Sequence, residues 1–407
     1  MSPHSLVCTG CGCLCDDVKV EVDGTRLGKI ENACVKGVAY LHSAVNEQRR
    51  PRSLVAGQSV PLDKAIEEAA RLLSKARNPV VFGLDDSTLE AQSAAIELAR
   101  KLGAVIDDVS SFSYGNLIDS ILSGGLPTCS LSEVKDNADL LIYWGSDAPH
   151  THPRHISRYS YYAYSDYDVA GWYPKVTLSC VEIRDTELSA ICHPAFKIRP
   201  GSDAEFIDAV LGREPDVQGQ AGAFAELIEK SRFCAVFCGL GLVYSLGDDF
   251  ASFGELVARF SQGRRMAVAP MVTETNLWGF NRSLKNLTGH VNRVSFASGI
   301  SHGSEFSLLE QVRKGESDCL LLIGSDPFSI LPQSLMKNLE GASLICLQRF
   351  CSPTTDVADV VIPTALPGWE CGGSVVRMDG EEVTLTQVAK GDCPTEEEIL
   401  KQLAERT

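Results

Sequence analysis

The chain has 407 residues, with 37 Lys+Arg against 53 Asp+Glu and 15 cysteines; at roughly 100–200 residues per domain that is two or three domains. A formal charge of −16 argues against a nucleic-acid-binding surface and against docking on anionic lipid. No apolar run exceeds strand size (Cys319–Ile323 is typical), and no basic segment with an apolar stretch opens the chain, so a cytoplasmic protein with mostly reduced thiols is expected.

The first element is a cysteine loop. Cys8, Cys11, Cys13 and Cys15 fall within eight residues and Cys34 follows. With Cys13 set aside the spacing is C-x2-C-x3-C-x18-C, which suits the corners of a [4Fe–4S] cube. Gly10 and Gly12 let the backbone wrap such a group. Zinc is the rival, although structural zinc sites usually present two separated C-x2-C pairs. Val18 to Ile30 alternates in polarity around an Asp23-Gly24 turn, which predicts a β-hairpin. A small iron–sulfur β module is therefore expected over residues 1–55. The remaining cysteines, such as Cys234, Cys238, Cys319 and Cys346, read as core packing.

Beyond residue 55 the pattern becomes strand–helix–strand, and it repeats. Asn78–Gly83, a helix over Glu90–Leu102 and a strand at Ala104–Asp107 match Phe233–Gly239, a helix from about Asp249 to Phe260 and Met266–Ala269. Ala138–Asp147 matches Ser317–Asp326, both ending in Gly-Ser-Asp, and Val176–Val181 matches Ala342–Leu347. Apolar strands of this kind imply two related parallel sheets covered by helices. The expected division is residues 56–120 with 222–407 in one α/β domain and 121–221 in a second. Ligands of such sheets bind beyond the carboxyl ends of the strands. Gly145-Ser146-Asp147 and Gly324-Ser325-Asp326 are placed there, where small residues admit a phosphate or ribose and the aspartates accept hydrogen bonds. His150, His152 and His155 follow the first loop. Beside a candidate phosphate loop they read as anion-binding groups, with Arg154 as the bidentate donor, more readily than as a metal site. The tyrosine-rich stretch Tyr159–Tyr167 reads as a packing or interface segment.

Taken together, the N-terminal cysteine module ahead of two related α/β units resembles the molybdopterin-dependent oxidoreductase superfamily. Within it the chain is most similar to the B subunit family of formylmethanofuran dehydrogenase, and also to the B subunit homologues of bacterial formyltransferase/hydrolase complexes. The likeness covers nearly the whole chain. It is carried by Cys8 to Asp17, Cys34-Val-Lys-Gly37, Leu131–Asp147 through His155, Asn286-Leu-Thr-Gly289, Ala358–Pro363, and Gly372-Gly373 ahead of Arg377-Met-Asp-Gly380. The resemblance implies superfamily domains I–III without the C-terminal β-barrel. It further implies a [4Fe–4S] cluster on Cys8, Cys11, Cys15 and Cys34, with Lys36 between the cluster and a pterin. Tungsten or molybdenum would be carried by two pyranopterin guanine dinucleotides. Gly145, Ser146, Asp147, His155, Arg184, Asp185, Asn286, Gly289, Gly324, Ser325, Asp326 and Asp359 are its candidate contacts. Arg282 matches a carboxylate-binding arginine.

The chain departs from the family at Ser111-Phe-Ser-Tyr-Gly115. Active members carry cysteine or selenocysteine as the metal ligand, followed by histidine; here Ser113 and Tyr114 stand in those places. Serine ligates molybdenum in other branches of the superfamily. Tyrosine, with an ordinary pKa of about 10, is a poor substitute for an imidazole that shuttles a proton near neutral pH. Two functions follow from the resemblance. One is a redox subunit that reduces CO2 to formate for condensation with methanofuran. The other is a structural subunit of a complex that moves formyl groups without redox chemistry. Either way the partners expected are formyl-transfer/hydrolase subunits and a small β-barrel cap subunit, with no nucleic acid and no membrane.

Overall fold

The computed structural model describes residues 2–23, 26–163, 176–217 and 219–407. Gly24 of the expected turn, and the tyrosine-rich stretch from residue 164 on, lie outside them. The chain is mixed α/β and divides into two compact units: residues 1–112, 274–377 and 382–407 in the first, 113–273 with 378–381 in the second.

In the first unit the expected hairpin is present. Val18–Asp23 pairs antiparallel with Arg26–Glu31, and Ser2–Leu6 pairs on its other side. Val18, Val20 and Val22 point inward while Lys19 and Asp23 face out, which is the period-2 alternation of a half-buried strand. This segment does not stand apart as a separate module. Thr9 Oγ1 donates to Pro367 O at 3.3 Å, Thr275 Oγ1 donates to Thr9 O at 2.8 Å, and Leu54–Val55 joins the main sheet beside Val360–Pro363.

That main sheet has nine strands, and its central five are parallel: Val105–Asp107, Pro79–Gly83, Cys319–Ile323, Ser343–Gln348 and Val360–Pro363. Pro79–Gly83 and Cys319–Ile323 are buried along their whole length, so their apolar residues run without alternation. Helices Leu62–Lys75, Leu89–Leu102 and Glu396–Arg406 cover one face. Ala65, Ile66, Ala69, Ala70 and Leu73 recur at helical spacing and join one core with Ala95, Leu98, Leu400 and Leu403. Thr88 caps the second of these helices by accepting from Ala91 N, and Gly103, in the left-handed region at φ +64, ends it.

The second unit is a five-stranded, fully parallel sheet in the spatial order Ala195–Lys197, Thr177–Glu182, Leu140–Trp144, Phe233–Cys238 and Arg265–Pro270. Numbered along the chain this order is 3-2-1-4-5. It reverses between Leu140–Trp144 and Phe233–Cys238, as in doubly wound α/β folds. Trp144 anchors the core. It is fully buried, donates from Nε1 to Asp203 Oδ1 at 2.7 Å, and meets Phe206, Phe224 and Phe253 edge-on.

All four sequence-matched pairs occupy corresponding places in the two sheets. Asp139 and Asp318 make the match concrete. Each carboxylate accepts from the backbone at the entrance of the neighbouring strand, Asp139 from Arg232 N and Phe233 N, Asp318 from Arg77 N and Asn78 N. Sheet order is the same in both units, but chain order is permuted: the first unit begins with the two strands that end the second. This corrects the expected boundary. Residues 222–273 complete the sheet of Leu140–Trp144 instead of joining residues 56–120, because Phe233–Cys238 pairs with Leu140–Trp144.

Candidate functional site

The cysteine loop closes on itself. Cys8 N donates to Cys15 O at 2.9 Å and Leu14 N to Cys11 O at 3.2 Å, with Leu14 at φ +43. Cys8, Cys11 and Cys15 are buried. Cys34 is half-buried and caps helix Val35–Ala44, its Sγ accepting from Gly37 N at 3.4 Å. A Cβ on Gly37 would lie 3.0 Å from Cys8 Sγ and 3.9 Å from Cys34 Sγ, and one on Gly10 would lie 3.5 Å from Cys8 Sγ. Gly37 thus lets the helix start close on Cys8, whereas a Cβ at Gly10 would make only ordinary contact. Burial pushes the Cys8 thiol up to about 12, and Cys11, Cys15 and Cys34 add to the effect. A hydrogen bond from Cys13, with the nearby Lys36 charge, holds Cys11 low, at about 7. Lys36 is half-buried on the same helix, two residues beyond Cys34.

In the second unit a cavity of about 550 Å³ opens at the carboxyl ends of the strands, where the strand order reverses. Gly145, Asp147, Glu182, Arg184, Asp203 and Tyr244 are among its lining residues. Gly145 is obligatory: its φ is +58, and a Cβ would strike Leu242 N at 2.4 Å. Gly241 N donates to Gly145 O at 3.0 Å, so two backbone turns pack directly on each other there. Glu182 accepts from Ser146 N at 3.1 Å, and burial lifts its carboxyl to about 7. Asp147 bonds His150 Nδ1 at 2.8 Å. Ser146 lies buried behind the wall, and Asp185 faces outward in an exposed pair with Lys197 at 3.0 Å.

The histidines separate. His155 is fully buried, bonded through Nδ1 to Tyr143 Oη at 2.7 Å and set edge-on to Phe237 at 4.6 Å. Burial keeps it neutral, well below its ordinary range. It packs in the core and does not line the cavity. His152 Nε2 bonds Val272 O at 2.7 Å. Among the described residues no three His, Cys, Asp or Glu side chains, the cysteines included, are grouped closely enough to hold one metal ion.

The corresponding loop of the first unit is tied internally. Asp326 accepts from Thr354 N at 3.1 Å, from Thr354 Oγ1, and from Ser329 Oγ at 2.5 Å. Gln348, at the position of Glu182, donates to Ser325 O. Behind Gly324 lies Arg349, 7% exposed, whose Nη2 reaches Glu396 at 2.8 Å. Asp359 sits at the other end of the strands, where it accepts from Leu344 N at 2.9 Å. A smaller cavity of about 250 Å³ in this unit is lined by Thr88, Glu90, Pro367, Gly373 and Glu396, among others.

The other expected contacts are dispersed. Tyr114 is buried at the start of helix Gly115–Leu122, and Ser113 is half-buried before it. Arg282, on helix Leu277–Thr288, pairs with Glu382 at 3.0 Å. Asn286 is exposed in the last turn of that helix, and Gly289 terminates it at φ +84. Helix ending accounts for that glycine.

No family model matches the chain. It is, however, 31% identical over 431 aligned positions to the B subunit of tungsten-containing formylmethanofuran dehydrogenase 2 from Methanocaldococcus jannaschii, covering 99% of this chain and 98% of that one. The chain belongs to the formylmethanofuran dehydrogenase B subunit family. The corresponding protein of Methanococcus maripaludis is 27% identical over 99% of this chain and 98% of its own length. The B subunit of the formyltransferase/hydrolase complex Fhc of Methylorubrum extorquens is 27% identical, over 79% of this chain and 87% of its own. The solved formyltransferase/hydrolase complex of that organism, in complex with methylofuran, matches with a TM-score of 0.71 at 22% identity, covering 87% of this chain and 98% of that one. That likeness supports the fold.

Within the fold of this family, sequence reasoning placed Gly145, Asp147 and Arg184 on one cavity but missed Glu182, Asp203 and Tyr244, its other prominent walls. An isolated carboxylate at a strand end carries no sequence signal until register places it. The Arg349–Glu396 pair was missed for a similar reason, since its partners lie 47 residues apart.

Proposed function

We propose that this chain is the cluster-bearing B subunit of a formylmethanofuran dehydrogenase-type complex in one-carbon metabolism. The observation that carries this reading is the meeting of the Cys8–Cys15 loop with the start of the Cys34 helix. There Gly37 lies against Cys8 and Cys34, and the charges of Cys11, Cys15 and Cys34 act on Cys8. Such a spread set of thiols suits a cube taking one thiolate per corner and not a single ion. Four thiols from one tight loop and one helix start fit a [4Fe–4S] cube, which when bound supplies single-electron transfer. Lys36 contributes positive charge beside the loop, the sign that stabilises an anionic cluster–thiolate assembly. The family reaction joins CO2 to methanofuran by way of formate at a tungsten or molybdenum bis-pterin centre, with reduced ferredoxin as donor. Formyl-transfer/hydrolase subunits and a small β-barrel cap subunit complete the complex.

At the metal-ligand place Ser113 offers a hydroxyl, and its neighbour Tyr114 is a buried phenol. That donor set does not fit the thiol-and-imidazole centre of the family, so no catalytic step is routed through tungsten or molybdenum here. The same two residues favour a second reading, in which the chain supports a complex that moves formyl groups without redox turnover. The two separate in one preparation. Anaerobically purified complex is expected to carry about four irons per chain, and formate oxidation with an artificial acceptor dye is expected to be very weak. Stoichiometric zinc without iron overturns the cluster; vigorous formate turnover with bound tungsten or molybdenum overturns the reading of Ser113 and Tyr114.

A further inference from the structure

The cysteine loop and the Cys34 helix hold one thiol more than a cube has corners. Cys8, Cys11, Cys15 and Cys34 account for the corners, and the charges of the last three bear on Cys8. Cys13 is the extra one. With 1% of its surface exposed it lies deepest, against 8% for Cys8, 8% for Cys11 and 7% for Cys15. The turn of residues 11–14 puts it there. Leu14 N donates to Cys11 O at 3.2 Å, and Leu14, at φ +43, is buried against Val375 and Leu385. Gly12 and Cys13 are therefore the two central residues of a closed turn that Leu14 pins to the core.

From that position Cys13 reaches Cys11 twice. Its main-chain N–H and its thiol S–H both donate to the Cys11 sulfur. On Cys8 and Cys34 the donors are main-chain groups, the N–H of Gly10 and, at 3.4 Å, that of Gly37. The second donor on Cys11 is thus a side chain. Any residue but proline at position 13 would bring the N–H, whereas the S–H comes with cysteine. A thiol is a weak donor, but a thiolate is a charged acceptor, and exclusion of water strengthens the attraction between them.

We propose that Cys13 is a positioning residue for the cluster and not a ligand: its S–H donates to the Cys11 sulfur, holds that thiolate at its corner and raises the cluster's reduction potential. The presence of the cluster rests on the reading above; the role of Cys13 rests on the turn. Reduction adds one electron from the reduced ferredoxin donor to the cube, breaks no bond and moves no proton. The cube and its thiolates become one charge more negative, so a donor on the Cys11 sulfur favours the reduced state over the oxidised one.

The test is the midpoint potential of the cluster, followed by electron paramagnetic resonance of the reduced cube in the anaerobically purified complex. Cys11→Ala, which removes a ligand, identifies the signal that belongs to this chain. Cys13→Ala keeps the N–H and loses the S–H. It should retain about four irons per chain and make reduction about tenfold less favourable, a fall of about 59 mV for one electron. Cys13→Ser, with a hydroxyl donor, should recover most of that fall. Iron lost from either Cys13 variant, an unmoved or raised potential in Cys13→Ala, or no recovery in Cys13→Ser each overturns the proposal. An unaltered chain without iron overturns the cluster reading and this inference with it, whereas a full iron count with an unmoved potential overturns the inference alone.

Discussion

The two α/β units share five strands in the same spatial order, the same aspartate pinning a neighbouring strand, and the same Gly-Ser-Asp turn, yet they use the turn differently. In residues 113–273 it borders a cavity, because Glu182 bonds the turn through Ser146 N and the next two residues, Ile183 and Arg184, remain exposed on the wall. In the unit built around residues 274–377 the matching residues are Gln348 and Arg349. Arg349 folds under the turn and is locked by Glu396. A shared tripeptide therefore fixes the backbone path, while the two or three residues after the neighbouring strand decide whether that path is a binding surface or a brace.

The sharpest way to break this contrast is at the buried ion pair. Arg349→Met leaves Glu396 unpaired inside the protein and should cost about 3–5 kcal/mol in denaturant unfolding, with the double variant Arg349→Met/Glu396→Met regaining most of it. Arg184→Met, on the open wall of the other unit, should change stability by no more than about 0.5 kcal/mol. Equal losses at the two positions would erase the distinction between brace and binding wall.

A middle-sized effect tests what the units have in common. Asp139→Ala and Asp318→Ala each remove a carboxylate that accepts two backbone N–H groups at a strand entrance. Each should cost about 1–3 kcal/mol by the same unfolding measurement. A large loss at one and none at the other would mean that the likeness is only topological.

The smallest effect is the part of the pH dependence set by Glu182 in the open unit. Glu182 is lifted from an ordinary 4.5 to about 7 by burial. The folded protein therefore holds this proton more tightly than the unfolded chain does. The stability so gained is complete below pH 4.5 and lost as the pH rises through 7. Glu182→Gln, matching Gln348 of the closed unit, removes that loss. Its thermal midpoint relative to the unaltered chain should climb between these two pH values and then level off. A flat difference would show that the carboxyl titrates normally.

Much of this was legible in the sequence because strands buried on both faces write themselves as unbroken apolar runs. Leu140–Trp144, Cys319–Ile323 and Phe233–Cys238 are such runs, and their pairing as repeats needed only alignment. Which sheet received Phe233–Cys238 was not legible. Partner choice depends on contacts with Leu140–Trp144, and both sheets present similar aliphatic edges to it. His155 illustrates a different limit. Beside Arg154 and His152 it reads as an anion-binding group, but the helical turn His155–Arg158 rotates it onto Tyr143 and Phe237. Spacing alone singled out the cysteine loop, whereas the role of Cys13 as a hydrogen-bond donor to Cys11 depended on how tightly the loop closes.

The permuted order of the strands sets a timetable for synthesis. The five strands of the second sheet lie in one stretch, from Leu140 to Pro270, and can assemble as soon as that stretch leaves the ribosome. Strands Pro79–Gly83 and Val105–Asp107 emerge earlier, yet the neighbour of the first is Cys319–Ile323, with Asn78 and Asp318 separated by 240 residues. At about 5–20 residues per second, these apolar edges wait tens of seconds or less for their partner while a complete domain folds between them. Nascent chains halted far enough beyond residue 273 for Pro270 to have left the ribosome should thus display a protease-resistant second unit and an exposed, chaperone-accessible first one.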